Sequence, residues 1–340
     1  MTQSSLTISI VIPVHNGGRD FYKCLESIQK SIHFPDEIIV VCDGTTGDSL
    51  QIAEQFKQVK TLQLQTQGGP ARARNQGANI ATGDILFFVD ADVTVHPNTI
   101  KLVLEKFQQN PGLSALIGSY DDAPGASNFL SQYKNLFHHY THQSSSEKAS
   151  TFWGACGAVR RPIFQEINGF DEQYKKPCIE DIELGYRLRR NGHSIYLCKD
   201  IQVKHLKCWR LINLLKAEIF YRALPWTTLI LRTRTLNSDL NLNQTNRFSV
   251  IFVFCLICSL IMGVLVSPFW LVATSIIVLG LLTINWKVYR FFYYKRGFFF
   301  ALRVIPWHWL YFFYGGAAFA WGSLIHYTKP IFSCGKHMSE

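Results

Sequence analysis

Short apolar runs alternate with helical patterns over the first hundred residues. Three runs lack polar alternation and end at a polar or turn residue, namely LTISIVIPV at 6–14, EIIVVC at 37–42 and ILFFV at 85–89. Strands that are apolar on both faces and separated by helices are typical of a parallel sheet covered on both sides. We therefore predict an α/β domain with a mostly parallel sheet and helices on both faces.

Polar side chains directly follow these three strands. They are His15, Asp43 and Asp90. In open α/β sheets, ligands bind outside the carboxyl ends of the strands. The spacing therefore predicts a binding site at that edge of the sheet.

The apolar pattern changes after residue 207. Basic amphipathic segments occupy 208–247, and longer apolar runs follow at about 248–266, 268–286 and 304–325. Each run is long enough to cross about 30 Å of hydrocarbon, and Pro306 permits a kinked crossing or a re-entrant hairpin in the third. We predict a globular domain at 1–207, interfacial helices at 208–247 and a transmembrane region at 248–340.

Charge divides the chain at the same place. The sequence has a formal charge of +10, and residues 208–340 hold 13 Lys and Arg against 3 Asp and Glu, so the first 207 residues are neutral. Basic residues that flank apolar runs favour membrane lipid over nucleic acid as a partner. We expect the basic link at 286–297 to face the cytosol. No signal-peptide pattern precedes the globular domain, so we expect it on that same side of a cell membrane that the chain crosses several times.

Asp90-Ala91-Asp92 is the central candidate motif. Two carboxylates one residue apart, directly after a buried strand, can hold a divalent cation against a diphosphate. Hard oxygen ligands suit Mg²⁺ or Mn²⁺. Because an isolated triplet of this kind is usually a solvated turn, its place at a strand end carries the prediction.

Five further segments, in order with this triplet, resemble glycosyltransferase family 2, which has the GT-A fold. They are IVIPVHN at 10–16, VCDGT at 41–45, GGPARARNQG at 68–77, NGFDE at 168–172 and EDIEL at 180–184. The resemblance covers residues 6 to about 207. It implies a Rossmann-like sheet and the transfer of a sugar from a nucleotide-diphosphate donor, an activity of the hexosyltransferase type.

The resemblance also implies roles for single residues. The implied donor site consists of Pro13, Val14, His15, Asp43, Arg74, Asp90, Ala91 and Asp92. Asp43 would recognise the nucleotide base, and Arg74 would offer a planar fork to the base or the diphosphate. Asp92 would bind the metal with His205 as a further ligand. As the alternative to base recognition, Asp43 caps its Asp-Gly turn. As the alternative to metal binding, His205 has a structural role.

Asp181 is the predicted catalytic base, because transfer to a hydroxyl group needs a carboxylate that takes its proton. A free Asp has a pKa of about 3.9, and the nearby Glu180 and Glu183 would raise it. Gly185, one turn on, would leave the helix face beside Asp181 open to an acceptor. An acid placed at a helix start by the macrodipole is the competing interpretation.

Trp153, Gly154 and Glu180 are the predicted acceptor contacts. A tryptophan can stack on a sugar face, although packing in the interior is an equal alternative. His138, His139 and His142 have helical spacing, and we interpret them as a polar helix face in preference to a metal pair.

The expected reaction is an inverting, metal-dependent transfer to a lipid-linked or amphipathic hydroxyl acceptor. Residues 206–210, LKCWR, do not match the Q-x-x-R-W signature of processive relatives, which favours transfer of one or a few sugars. Two other functions stay open. A sugar nucleotidyltransferase would need a Gly-rich basic loop after the first strand, and a membrane scaffold would have no activity.

Overall fold

A computed structural model describes residues 6–237 and 240–328. The chain divides into two compact units, and the division falls between Asn213 and Leu214. Residues 1–5 of the predicted globular domain and 329–340 of the predicted transmembrane region lie outside the described residues. The boundaries predicted at 207 and 247 stay predictions.

The first unit is built around a nine-stranded sheet. Its strands are β1 Ile8–Val14, β2 Glu37–Asp43, β3 Val59–Leu64, β4 Ile85–Val89, β5 Val93–Val95, β6 Ala115–Tyr120, β7 Lys148–Ala149, β8 Cys156–Arg160 and β9 Ile195–His205. Its helices are α1 Gly18–Gln29, α2 Ser49–Glu54, α3 Pro70–Ile80, α4 Thr99–Gln109, α5 Phe129–Ser144, α6 Arg161–Glu166 and α7 Glu180–Arg190.

The sheet is mixed, with the order β3-β2-β1-β4-β8-β6-β9-β5 and with β7 paired to β9. The first four strands in this order are parallel, as predicted. Strand β8 is antiparallel to both neighbours, and β5 is antiparallel to β9. Because Cys156 pairs with Val89, β8 starts at the carboxyl edge of β4. The residues just before β8 therefore lie at that edge.

The strands recognised from their apolar runs form the core of this unit. Ile8, Ile10 and Ile12 of β1 are fully buried together with Phe87 of β4. Burial of one such side chain contributes about 1.5–3 kcal/mol. On the opposite face of β1, Gly77 lets α3 approach the sheet, because a Cβ there would lie 2.5 Å from Val11 Cγ1.

The second unit is helical over its described residues. Helix α8 Leu211–Lys216 leads into it and continues as a π-helical turn at Ala217–Ala223. The other helices are α9 Leu224–Thr233, a 3₁₀ turn at Leu240–Leu242, α10 Gln244–Leu265, α11 Trp270–Ile284, α12 Trp286–Arg296 and α13 Phe298–Thr328.

Within 6–237 and 240–328, one helix, α10, is by itself long and apolar enough to cross a membrane. Helices α11 and α12 pass the same test only as a pair, and they meet at an angle of 63°. Asn285 lies at this bend and donates to Ser249 Oγ at 2.9 Å and to Leu281 O at 3.0 Å. The bend is therefore hydrogen-bonded within the unit.

The second and third predicted spans do not each coincide with one helix that qualifies by itself, and the three spans stay predictions. The second, 268–286, contains only the 15-residue helix α11, about 22 Å long at 1.5 Å per residue. The basic link at 286–297 is not a loop, because it forms helix α12. The third, 304–325, lies inside the continuous helix α13, which runs through Pro306 without a hairpin. Its many Trp, Tyr and His residues lower its mean hydropathy, and it does not qualify as a span.

Candidate functional site

The predicted site residues of β4 and β9 meet at the carboxyl edge of β4. Val93 pairs with His205 in the short β5–β9 ladder, and the Leu206 N–H donates to Asp92 O at 2.9 Å. This ladder sets the end of the Asp90-Ala91-Asp92 triplet beside the end of β9. A pair of residues more than one hundred positions apart is thus fixed by main-chain contacts.

The side chains of Asp92 and His205 face each other. Asp92 Oδ2 lies 3.5 Å from His205 Nε2 and 4.0 Å from Lys207 Nζ. His205 Nδ1 lies 2.7 Å from Asn135 Oδ1. An amide oxygen only accepts hydrogen bonds, so Nδ1 carries a proton and Nε2 is the atom turned toward Asp92. The imidazole also stacks on the Tyr120 ring, with 4.6 Å between centroids.

The electrostatic environment keeps Asp92 ionised. Burial raises the pKa of the Asp92 carboxyl, but the neighbouring His205 and Lys207 outweigh burial and hold this pKa at about 2. The side chain nevertheless keeps 33% of its surface exposed. Asp92 is therefore an accessible carboxylate at neutral pH, which is the form a metal ion requires.

Asp92 and His205 are suited to hold a divalent cation that takes its remaining ligands from a bound substrate. The described parts of the chain contain no group of three or more His, Cys, Asp or Glu side chains that would hold a metal on their own. A cation about 2.1 Å from an oxygen and a nitrogen at right angles would separate them by about 3.0 Å, near the observed 3.5 Å. Mg²⁺ sites commonly use one or two carboxylates and take water and phosphate oxygens as further ligands.

Arg74 lies at the centre of a buried acidic cluster. It is only 3% exposed, and it donates from Nη2 to Asp90 Oδ1 at 2.7 Å and from Nη1 to Glu180 Oε1 at 2.9 Å. Burial lowers the pKa of Arg74, but the nearby carboxylates, first that of Asp90, raise it above its usual value. Both terminal nitrogens bind acids of this chain, and the predicted fork toward the base or diphosphate stays a prediction.

Glu180, a predicted acceptor contact, is held by contacts within the chain. Its side chain is buried, and Oε2 accepts a hydrogen bond from the Cys178 N–H at 2.8 Å while Oε1 binds Arg74. Glu183, the other acid near Asp181, binds Arg187 Nε at 2.7 Å. The negative charge of each acidic neighbour is thus paired with an arginine. This pairing offsets the repulsion that was expected to raise the pKa of Asp181.

Asp181 is half-buried on the first turn of α7. Its Oδ2 accepts from the Gly154 N–H at 3.0 Å, and its Oδ1 accepts from the Ile182 N–H at 2.8 Å. Gly154 packs on the Arg74 guanidinium, since a Cβ at Gly154 would lie 2.8 Å from Arg74 Cζ. The predicted acceptor contact Gly154 therefore acts through its backbone, on Asp181.

The helix face beside Asp181 is closed at Gly185. A Cβ on Gly185 would collide with the backbone of Thr151 and Phe152. This glycine lets the segment before β8 lie against α7, and the expected opening for an acceptor at this position is wrong.

Trp153 lies half-buried in an aromatic cluster next to His205. Its ring contacts Tyr120, His138 and His142 edge-on, with centroids 4.7, 5.0 and 5.1 Å away. His139 and His142 are buried, and their Nδ1 atoms bind the Tyr120 and Gly118 carbonyls. The interpretation of these histidines as a polar face is therefore wrong.

The nucleotide side of the predicted site is arranged around Asp43. Asp43 is 4% exposed, and its two carboxylate oxygens accept from the Gly68 and Gly69 N–H groups, each at 2.8 Å. His15 Nδ1 lies 2.8 Å from Asp43 O. The carboxylate shapes the turn before α3, in which Gly69 has a φ of +92°. Base recognition by Asp43 stays a prediction.

Three predicted donor contacts lie on or near the core. Val14 is buried in the core cluster, so its side chain is not available to a donor. Pro13 is half-buried in β1, and Ala91 packs against the core cluster. Donor contact by Pro13 and Ala91 stays a prediction.

Three residues near the site were missed in the sequence. Asn135 and Tyr120, which hold His205, lie in a region of weak periodicity, and no sequence signal marks them. Lys207 stands two positions after His205. A basic residue at that distance from a strand end was a usable signal.

Two family models match parts of this chain. The model of glycosyl transferase family 2 matches residues 9–168, and the model of the N-terminal domain of galactosyltransferase matches residues 134–208. Glycosyltransferase GlyG of Streptococcus pneumoniae serotype 4 is 34% identical over 117 residues, which is 33% of this chain and 38% of GlyG. The uncharacterized glycosyltransferase YibD of Escherichia coli K12 is 37% identical over 108 residues, 31% of each chain. This chain thus spans about a third of the length of these relatives.

The fold likeness extends further than the sequence likeness. A mannosyltransferase from Pyrobaculum calidifontis, solved in complex with GDP-Man and Mn²⁺, superimposes with a TM-score of 0.58 at 14% identity. The match covers 94% of this chain and 88% of that one.

Proposed function

We propose that this transferase enzyme moves a sugar from a nucleotide-diphosphate donor to a hydroxyl acceptor with inversion. Its residues 9–168 match glycosyltransferase family 2, and its mixed sheet is GT-A-like. The observation that carries this proposal is the convergence at one sheet edge. Asp92 and His205 face each other at 3.5 Å, and Arg74 connects Asp90 of the same triplet to the start of the helix that carries Asp181.

The donor is proposed to bind along the triplet. A divalent cation, Mn²⁺ or Mg²⁺, held by Asp92 and His205 would neutralise the charge of the departing diphosphate. Lys207, whose side chain is 47% exposed, adds positive charge beside Asp92. Asp90, a third exposed and bound by Arg74, would accept hydrogen bonds from ribose or sugar hydroxyls.

Asp181 is proposed to take the proton of the acceptor hydroxyl. The Gly154 and Ile182 N–H groups hold its two oxygens, which fixes the carboxylate for attack by a single, direct displacement. Such a displacement inverts the anomeric configuration. Trp153 is kept as an acceptor contact at the rim of this site.

A membrane-bound, non-processive enzyme with a lipid-linked or amphipathic acceptor is the proposed setting. Helix α10 is long and apolar enough to span a membrane, and α11 with α12 qualifies as a bent pair. The excess of Lys and Arg lies in residues 208–340, which fits anionic lipid at a cytosolic membrane face. The globular unit is proposed to lie on that cytosolic side.

The test is a donor screen on the full chain in membranes. Uridine, guanosine and thymidine diphosphate sugars are offered with Mn²⁺, with and without added lipid extract, and the released nucleoside diphosphate is measured. Release that depends on the lipid extract supports transfer of the donor sugar to a lipid acceptor. Release of pyrophosphate from nucleoside triphosphates would indicate a nucleotidyltransferase, and no turnover of any donor would indicate a scaffold.

A further inference from the structure

Arg74 connects the donor side of the site to the helix that carries the proposed base. Its fork joins Asp90, which follows β4, to Glu180, the first residue of α7. Asp181 is the next residue on that helix. A single guanidinium therefore sets the distance between the triplet and the first turn of α7.

A second contact runs from the same guanidinium to Asp181 through the backbone. Gly154 lies against Arg74 so closely that a Cβ there would sit 2.8 Å from both Cζ and Nη2. The Gly154 N–H donates to Asp181 Oδ2 at 3.0 Å. The Phe170 ring also packs on Arg74, with its centroid 5.3 Å from Cζ. Arg74 thus supports both the helix that bears Asp181 and the amide that orients its carboxylate.

Stability does not explain this arrangement well. A buried ion pair is often no more stable than apolar side chains of the same volume. Arg74 Nε is buried without a hydrogen-bond partner among residues 6–237 and 240–328, and an unsatisfied donor of this kind destabilises the fold. What the cluster provides is fixed geometry, because a planar fork defines the positions of two acids at once.

We propose that Arg74 is a positioning residue, which holds the Asp181 carboxylate in register with the Asp90-Ala91-Asp92 triplet without itself binding the donor. This inference deepens the proposed function and rests on it. A lysine at position 74 would keep the charge but could not bridge two carboxylates with the same geometry.

The chain offers a matched control in Arg187. It also forms a fork on a buried acid, Glu183, and on the Ile167 and Gly169 carbonyls, but it makes no contact with Asp181 or Gly154. Arg74→Lys and Arg187→Lys therefore each remove a guanidinium fork from a buried acid. The Arg74 fork also contacts Gly154, which binds Asp181, and the Arg187 fork does not.

The first measurement is hydrogen exchange of the full chain, because it needs no turnover. Arg74→Lys is expected to speed exchange at the Gly154 amide by about tenfold, and Arg187→Lys is expected to leave that amide unchanged. An unchanged Gly154 amide in Arg74→Lys would overturn the positioning role, whether or not the enzyme transfers sugar.

The second measurement separates positioning from donor binding. Arg74→Lys is expected to lower kcat by about tenfold to a hundredfold while the donor KM stays within about threefold. A large rise in donor KM with kcat preserved would make Arg74 a donor contact and overturn the inference. Equal losses of kcat in Arg74→Lys and Arg187→Lys would reduce Arg74 to a packing residue. If the unmodified chain releases no nucleotide from any donor, the proposed function fails, and the exchange experiment still decides the positioning role.

Discussion

Two corners of the same sheet edge use their carboxylates in opposite ways. At the β1–β2 corner, Asp43 binds the Gly68 and Gly69 amides with both oxygens. Asn16 likewise uses its amide oxygen for the Thr46 and Gly47 N–H groups. At the β4–β9 corner, Asp92 faces the side chains of His205 and Lys207 and keeps a third of its surface exposed.

This difference separates residues that shape the site from residues that offer ligands. A buried carboxylate with backbone donors on both oxygens satisfies main-chain groups that would otherwise cost free energy. A partly exposed carboxylate beside a histidine and a lysine can still take a metal ion or a phosphate-bound cation. We therefore expect substitutions at the β4–β9 corner to change chemistry and substitutions at the β1–β2 corner to change the loop.

The largest effect is expected for Asp181→Asn. Loss of a general base lowers kcat by about two to four powers of ten, and donor affinity should stay near its original value because the proposed role of Asp181 is toward the acceptor. Steady-state release of nucleoside diphosphate, with donor affinity from calorimetry, measures both. A collapse of donor affinity would move Asp181 into the donor site and blur the contrast between the two corners.

Asp92→Asn is expected to lower turnover by about a hundredfold or more, since a metal-bound oxygen supplies several kcal/mol of charge stabilisation. It should also weaken Mn²⁺-dependent binding of nucleoside diphosphate while the fold persists. Asp200→Asn is the matched control, because Asp200 pairs with Lys106 on the surface and lies outside the site. Full activity in folded Asp92→Asn would remove the metal assignment.

The sequence identified the strands, the edge and most of the charged residues at it. Apolar runs before Asp43 and Asp90 predict buried strands because burial on both faces needs continuous apolar residues. The same reasoning could not show that the antiparallel β8 would lie between β4 and β6, since its short run, CGAVR at 156–160, carries no sign of direction.

The contacts of Arg74 and Gly185 could not be predicted from the sequence for a different reason. Arg74 pairs with Glu180 across 106 positions, and such a pairing follows from tertiary packing, not from local spacing. Gly185 was read as open space, whereas the structure fills that space with the Thr151–Phe152 backbone. A glycine shows that something must come close, but it does not show whether a ligand or the chain itself does.

Asn135→Ala tests the support behind the β4–β9 corner. Asn135 Oδ1 accepts a hydrogen bond from the His205 Nδ1–H and so fixes which nitrogen faces Asp92. Loss of such a partner costs about ten- to a hundredfold in metal affinity, so the Mn²⁺ concentration for half-maximal turnover should rise by that factor while saturating Mn²⁺ restores most of the rate. A loss of rate that Mn²⁺ does not restore would contradict the metal role of His205.

The smallest effect on the chemical step is expected for Asp43→Asn, at the other corner. An asparagine retains one acceptor oxygen, but its NH₂ group would face the second glycine N–H, so one buried donor pair is left unsatisfied. The expected cost is about 1–3 kcal/mol of folding free energy, seen as a lower thermal unfolding midpoint, with donor KM raised more than kcat is lowered. Asp200→Asn again serves as the control for a charge removed without a buried partner. If Asp43→Asn left the midpoint unchanged and instead altered the preference between uridine and guanosine donors, Asp43 would be a base-recognition residue, and the two corners would both offer ligands.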